Sequence, residues 1–277
     1  MKKILVTTDF SANSKAGIKY AIQLAEQGNF KLRFLHVYHL MRPSQWSESQ
    51  WTSYLDAESA VIKAKLEKFV TKVYESMGFV PKSLDCALER AVFASEGIFD
   101  HAVHNGFDCI CVSTLGAGGI RKVLGTHTSW LLNNSPIPLL IIPKSIKVKN
   151  IGKIVYSSDA SNLEQEIKQT VLFSKAIGAE LHLLHFLMAG DSKEAAAGLE
   201  KQVKKITRYP VNLITPKRNI LLSLSGDLGN TLKKAKPDLI VMFTRQKKGF
   251  LNTLFAAENT KSVADSTKFP LLAFMKK

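Results

Sequence analysis

The chain has 277 residues, 45% of them hydrophobic and 22% charged, with a formal net charge of +15. That length is long for one core and suits two domains of roughly 130 to 150 residues. No apolar run reaches the ~20 residues of a membrane span, and Met1-Lys2-Lys3 leads straight into a strand pattern without a leader, so the expectation is a soluble cytoplasmic protein with no membrane partner.

Strand and helix patterns alternate from the start. Residues 3–8 form an apolar strand, and Ser11-Ala12-Asn13-Ser14 supplies capping hydroxyls for a helix to about residue 26. A strand over 31–38 follows. Residues 39–54 read as irregular, with Trp46, Trp51 and Tyr54 either tucked over the core or forming a lid or partner surface. A helix over 56–77 carries the stripe Val61, Ile62, Leu66, Phe69, Val70 and Val73. The half closes with a strand over 84–88, a helix over 95–104, a strand over 108–114, a helix over 126–133 and a strand over 138–142.

The second half says nearly the same thing. Ile4-Leu5-Val6-Thr7-Thr8-Asp9 returns as Ile154-Val155-Tyr156-Ser157-Ser158-Asp159, Leu35-His36-Val37 as Leu184-His185-Phe186, and Pro138-Leu139-Leu140 as Pro270-Leu271-Leu272. Such a tandem duplication makes each copy a control for the other. Strands are predicted at 153–158, 180–187, 211–215, 238–244 and 270–274, with helices at 163–177, 193–208 and 228–235 and a last one before the final strand. This copy is shorter between its second and third strands. The division is 1–146 and 151–277, joined by a polar, basic linker after Pro143. The fold class is α/β, two tandem doubly wound domains, each a five-stranded parallel sheet with helices on both faces.

Cys86, Cys109 and Cys111 lack metal-ligand spacing and read as reduced core thiols. The lysines are scattered along helix faces, as at Lys63, Lys65, Lys68 and Lys72, without interleaved aromatics, which speaks against a nucleic-acid partner.

In an open parallel sheet, ligands bind beyond the carboxyl ends of the strands. Asp9, Val37 and the segment Ser113-Thr114-Leu115-Gly116-Ala117-Gly118-Gly119 leave three such ends, and Gly125-Thr126 opens the next helix. Glycines admit an anion close to backbone N–H groups, and a helix amino terminus adds unpaired donors, so the segment is a candidate phosphate cradle. Turn geometry alone is the competing account of the glycines. The segment is neither a Walker A loop nor a Rossmann fingerprint.

A first strand closing in Thr8-Asp9-Phe10-Ser11, a second ending Leu35-His36-Val37, and a glycine segment leading to Gly125-Thr126 and then Pro136-Ile137-Pro138 resemble the universal stress proteins. The resemblance spans nearly the whole chain as two copies. It implies a five-stranded parallel sheet in each, dimer-like packing of the copies and, as in many members, adenine nucleotide binding: ATP or a relative, with Mg as an accompanying ion. By the same resemblance Asp9 and Val37 contact the adenine and ribose side, and Gly116, Gly119, Gly125 and Thr126 the phosphates. Ser113 stands at the family's first glycine position, and eight residues rather than nine separate Gly116 from Gly125.

Asp159 persists in the second copy, but 245–259 has one glycine where the first copy has four. Either a ligand keeps the glycines in the first copy, or both copies are degenerate and the first less so. Arg245, Lys247 and Lys248 are the cations of that segment. No His-Glu-x-x-His or nucleophile set is found, His36 and His185 sit at equivalent strand positions, and His127 follows the glycine segment, so no catalytic role is expected. The leading expectation is a stress-response protein that binds adenine nucleotide in its first domain. The alternative is a nucleotide-independent interaction scaffold of two pseudo-symmetric domains. A homodimer and a protein partner remain open.

Overall fold

The computed structural model describes residues 1–81, 83–114, 126–188, 190–191, 193–244 and 269–276. The first copy runs β1 (Lys3–Thr7), α1 (Ser14–Gly28), β2 (Lys31–Tyr38), α2 (Glu48–Glu75), β3 (Cys86–Arg90), α3 (Ala94–His104), β4 (Cys109–Ser113), α4 (Thr126–Asn134) and β5 (Leu139–Ile142). The second runs β6 (Lys153–Ser157), α5 (Leu163–Ile177), β7 (Glu180–Leu184), α6 (Lys193–Ile206), β8 (Val211–Ile214), α7 (Leu224–Ala235), β9 (Leu239–Thr244) and β10 (Leu271–Met275). The helix expected before the last strand falls outside the described residues.

Each copy is a five-stranded parallel sheet, ordered 3-2-1-4-5, and the two are joined as one ten-stranded sheet, β3-β2-β1-β4-β5-β10-β9-β6-β7-β8. The seam is antiparallel: Leu271 faces Ile141, Leu272 Leu140 and Ala273 Leu139. Pairing the two last strands leaves neither as an exposed edge, which is where open sheets otherwise aggregate.

Because side chains alternate along a strand, each strand feeds both faces. Ile4, Val6, Ile154 and Tyr156 enter the layer under α1, α2, α5 and α6. Leu5, Val155, Ile110 and Ile240 enter the layer under α3, α4 and α7. Both layers run across the seam. Phe30 stacks on Phe173 of the other copy at 6.2 Å, and Gln27 of α1 gives Nε2–H to Ile151 O at 2.8 Å and Ile177 O at 2.7 Å while its Oε1 takes Ile151 N–H at 3.0 Å. One amide side chain thus satisfies three backbone groups of the second copy, two at its start and one at the end of α5.

Two elements differ from the expectation. Residues 39–54 are not irregular throughout: α2 begins at Glu48, capped by a box in which Ser47 takes Gln50 N–H and the Gln50 side chain takes Ser47 N–H. Trp51 is buried, and it packs with Trp46 and Tyr54 at ring separations of 5.0 to 6.4 Å. Likewise α7 starts four residues earlier than expected, because Ser223 caps it by accepting Gly226 N–H at 3.1 Å. Val61, assigned to the α2 core stripe, is exposed, whereas Leu66, Val70 and Val73 are buried. Cys109 and Cys111 are fully buried free thiols, and burial pushes Cys109 up to about 12 and Cys111 well above its usual value. Cys86 is half-buried and free.

Among the described residues no helix is long and apolar enough to cross a membrane, and no group of His, Cys, Asp and Glu is arranged to hold a metal ion.

Candidate functional site

The site is built from the turn after β1. Asp9 Oδ1 accepts Ser11 N–H at 3.0 Å, and Thr8 Oγ1 accepts Phe10 N–H at 3.1 Å. These two local bonds fold the chain back so sharply that Phe10 sits in the left-handed region at φ 62°. A side chain there costs about 1 kcal/mol. The ring is held in place by His36 at 4.3 Å and Phe69 at 5.5 Å, with Lys65 Nζ 4.5 Å from its centre. Serine hydroxyls then lead into α1, though not as caps at Asn13, which makes no side-chain capping bond: Ser14 N–H goes to Ser11 Oγ at 3.2 Å, and the Ser14 and Thr8 hydroxyls bond each other at 2.8 Å.

The second copy folds the same turn. Asp159 Oδ1 takes Ser161 N–H at 3.0 Å, Ser158 Oγ takes Ala160 N–H at 3.0 Å, and Ala160 has φ 61°. Both imidazoles do the same work: His36 Nδ1 lies 2.8 Å from Thr8 O, and His185 Nδ1 lies 3.0 Å from Ser158 O. A bond repeated with no shared ligand belongs to the fold. Burial, and secondarily the Lys65 charge, draws the His36 imidazole below its usual value against the opposing bond to Thr8, which suits a neutral ring holding a carbonyl.

In the first copy this turn opens on a cavity of about 360 Å³ that lies among the ends of β1, β2 and β4 and the starts of α1, α3 and α4. Asp9, Val37 and Ser113 all line it, so three of the residues picked from the sequence meet there. Leu35, Val37, Ala94, Ile98 and Val112 make an apolar wall; Thr7, Ser11, Asn13, Ser113 and Thr128 supply polar groups. Thr126 opens α4, whose first turn brings His127 and Thr128 to the cavity. Gly116, Gly119 and Gly125 lie outside the described residues, as do Arg245, Lys247 and Lys248. Ala94, one residue before the helix expected over 95–104, and Ile98 within it were not singled out in the sequence, because neither carries a polar group that marks a ligand site.

Burial alone would push the Asp9 carboxyl up, but hydrogen bonds from the Ser11 side chain and backbone, and from Ser14, hold it below its usual value. Asp9 is an exposed, ionised acceptor at the mouth of an apolar cleft. Ser113 faces inward: its Oγ accepts Gly17 N–H at 3.0 Å, and a Cβ on Gly17 would fall 2.3 Å from that oxygen. Gly17 therefore lets α1 approach the end of β4.

Around the turn after β6 the second copy is furnished differently, on the sheet face that α5 covers. α1 and α5 are each 15 residues long and end in left-handed caps, at Asn29 and Gly178, which aligns Gly17 with Glu166. Sheet pairing aligns Ser113 with Phe243. Lys276, one residue past β10, turns inward and places Nζ 2.7 Å from both carboxylate oxygens of Asp159, 2.8 Å from Ser161 Oγ and 3.3 Å from Glu166 Oε1. The last contact is an ion pair that is not aligned as a hydrogen bond. The Tyr156 hydroxyl bonds Glu166 Oε2 and Ser158 Oγ. Burial and the neighbouring Glu166 push that phenol far above its usual range. Asp159, opposed by burial, is nonetheless drawn down to about 2, chiefly by Lys276 and then by Ser161.

Fold and site define a tandem, doubly wound α/β protein with a ligand-sized cleft beyond the strand ends of one copy. The sequence profile of the universal stress protein family matches residues 1–143, more than half of the chain, and the chain belongs to that family. Its fold is similar to that of a universal stress protein from Archaeoglobus fulgidus, at 18% identity and TM-score 0.68, with 99% of this chain and 98% of that one covered. It is also similar to a functionally unknown protein from Pseudomonas aeruginosa, at 14% identity and TM-score 0.54, covering 99% and 92%. No curated protein matches the sequence.

Proposed function

We propose that the first copy binds an adenine nucleotide, ATP or a related species with or without Mg, and that the protein acts in a stress response by binding rather than by catalysis. The observation that carries this reading is the convergence of Asp9, Val37 and the first turn of α4 on one cavity of about 360 Å³. That volume is within the range of small-ligand clefts. The wall of Leu35, Val37 and Ile98 offers burial to a flat ring, the Asp9 carboxylate accepts from an N–H or O–H group, and the α4 terminus favours a phosphate. Membership of the universal stress protein family, and the partial match of Ser113, Gly116 and Gly125-Thr126 to its nucleotide motif, support the same ligand class. The second copy completes the sheet as an intrachain pseudo-dimer partner, and cytoplasmic residence accompanies the reading.

The test is a thermal-shift titration with ATP, ADP and AMP on the intact chain and on Asp9→Asn. The reading expects a saturable rise in Tm that requires at least tenfold more nucleotide in the variant, since a charge-assisted hydrogen bond contributes about 1.5–3 kcal/mol. No response from the unaltered protein would leave the interaction scaffold as the function.

A further inference from the structure

We infer that Lys276 is an internal ligand of the second copy, closing at Asp159 the strand-end site whose counterpart at Asp9 stands open. The duplication provides the comparison. Lys144 and Lys276 each follow, by six residues, the proline that opens the last strand of their copy. Lys144 is exposed. Lys276, whose backbone N–H continues the sheet by bonding Thr244 O at 2.8 Å, carries a side chain only 7% exposed. That side chain reaches past the end of β9 to the turn after β6, bridging two strand ends.

Three changes make this bridge. Glu166 replaces Gly17, so α5 presents a carboxylate, 3% exposed, toward β9, where α1 presents bare backbone. Phe243 replaces Ser113 and packs on Phe274 at 4.9 Å and Tyr156 at 5.6 Å, filling the space beneath. Tyr156 replaces Val6 and orients Glu166 through its hydroxyl. A lysine that would otherwise project into water then has the Asp159 carboxylate and the Ser161 hydroxyl to satisfy its donors and Glu166 as a second anion. Asp9, by contrast, is held by Ser11 and Ser14, with no ion pair among the described residues.

A ligand seeking Asp159 has to compete with the Lys276 ammonium, so of these two aspartates Asp159 carries a lysine partner and, among the described residues, Asp9 does not. This inference stands apart from the nucleotide reading, because its test needs no nucleotide. The unaltered protein is pulsed with an N-hydroxysuccinimide acetate, and acetylation of each lysine is located and timed by tandem mass spectrometry. Lys276 is expected to react at least tenfold more slowly than Lys144. In Asp159→Asn, with folding checked by circular dichroism, the ratio is expected to shrink several-fold, because the ammonium loses its closest anion. Equal rates for the two lysines in the unaltered protein, or a ratio unmoved in the folded variant, would overturn the inference.

Discussion

Replacing Lys276 by Met keeps most of the stem volume and removes the charge, so the energetic consequence follows from what remains behind. Asp159 is about two-thirds exposed and returns to water with little loss. Glu166, 3% exposed, cannot: its Oε1 loses the ammonium at 3.3 Å and keeps no aligned partner. Removing one member of a buried pair typically costs about 3–5 kcal/mol, because the other charge is stranded, and the solvated Asp159 side places this case near the lower figure, about 3 kcal/mol. Urea unfolding followed by far-ultraviolet circular dichroism measures it as a shift in midpoint at constant slope. Adding Glu166→Gln should recover much of the loss, leaving the double variant within about 1.5 kcal/mol of the original, since an amide is far less costly to leave without a cation. A single variant within 0.5 kcal/mol of the unaltered chain, or a double variant as weak as the single, would refute the reasoning.

Three other outcomes follow from the same geometry. Asp159 is drawn to about 2 in the folded state from an ordinary 3.8, so its contribution is complete above about pH 4 and is lost as pH falls toward 2; urea midpoints between pH 2 and 5 should vary less in Asp159→Asn than in the original. Gly17→Ala puts a methyl carbon 2.3 Å from Ser113 Oγ and should cost about 1–3 kcal/mol despite the better helix propensity of Ala, a loss that Ser113→Gly on the same chain should largely remove. Gln27→Ala leaves Ile151 N–H, Ile151 O and Ile177 O without their partner and should lower stability by about 1–3 kcal/mol, checked by calorimetric Tm.

Much of this architecture could be read from residue order because period-two and period-3.6 patterns mark elements whose burial is one-sided. β2 over 31–38 and α5 over 163–177 have the predicted ends. The start of α2 escaped notice because Trp46, Trp51 and Tyr54 break the amphipathic repeat, although Ser47-x-x-Gln50 carries a capping-box signal. The seam between β5 and β10 depends on two complementary strand edges, which alternation within a strand does not encode. At the site, Asp9, Val37 and Ser113 could be found because ligands collect beyond strand ends, a rule about position. Lys276 could not. A lysine beside the end of a strand reads as solvated, and its burial becomes visible only when Glu166 is set against Gly17, in a helix whose alignment shifts by one residue relative to the preceding strand.

Isothermal titration of the intact chain with ATP is the most direct test of nucleotide binding in the first copy. One site per chain, lost or weakened at least tenfold in Asp9→Asn and unchanged in Asp159→Asn, is the predicted result; two equivalent sites, or heat unaffected by Asp9→Asn, would contradict it.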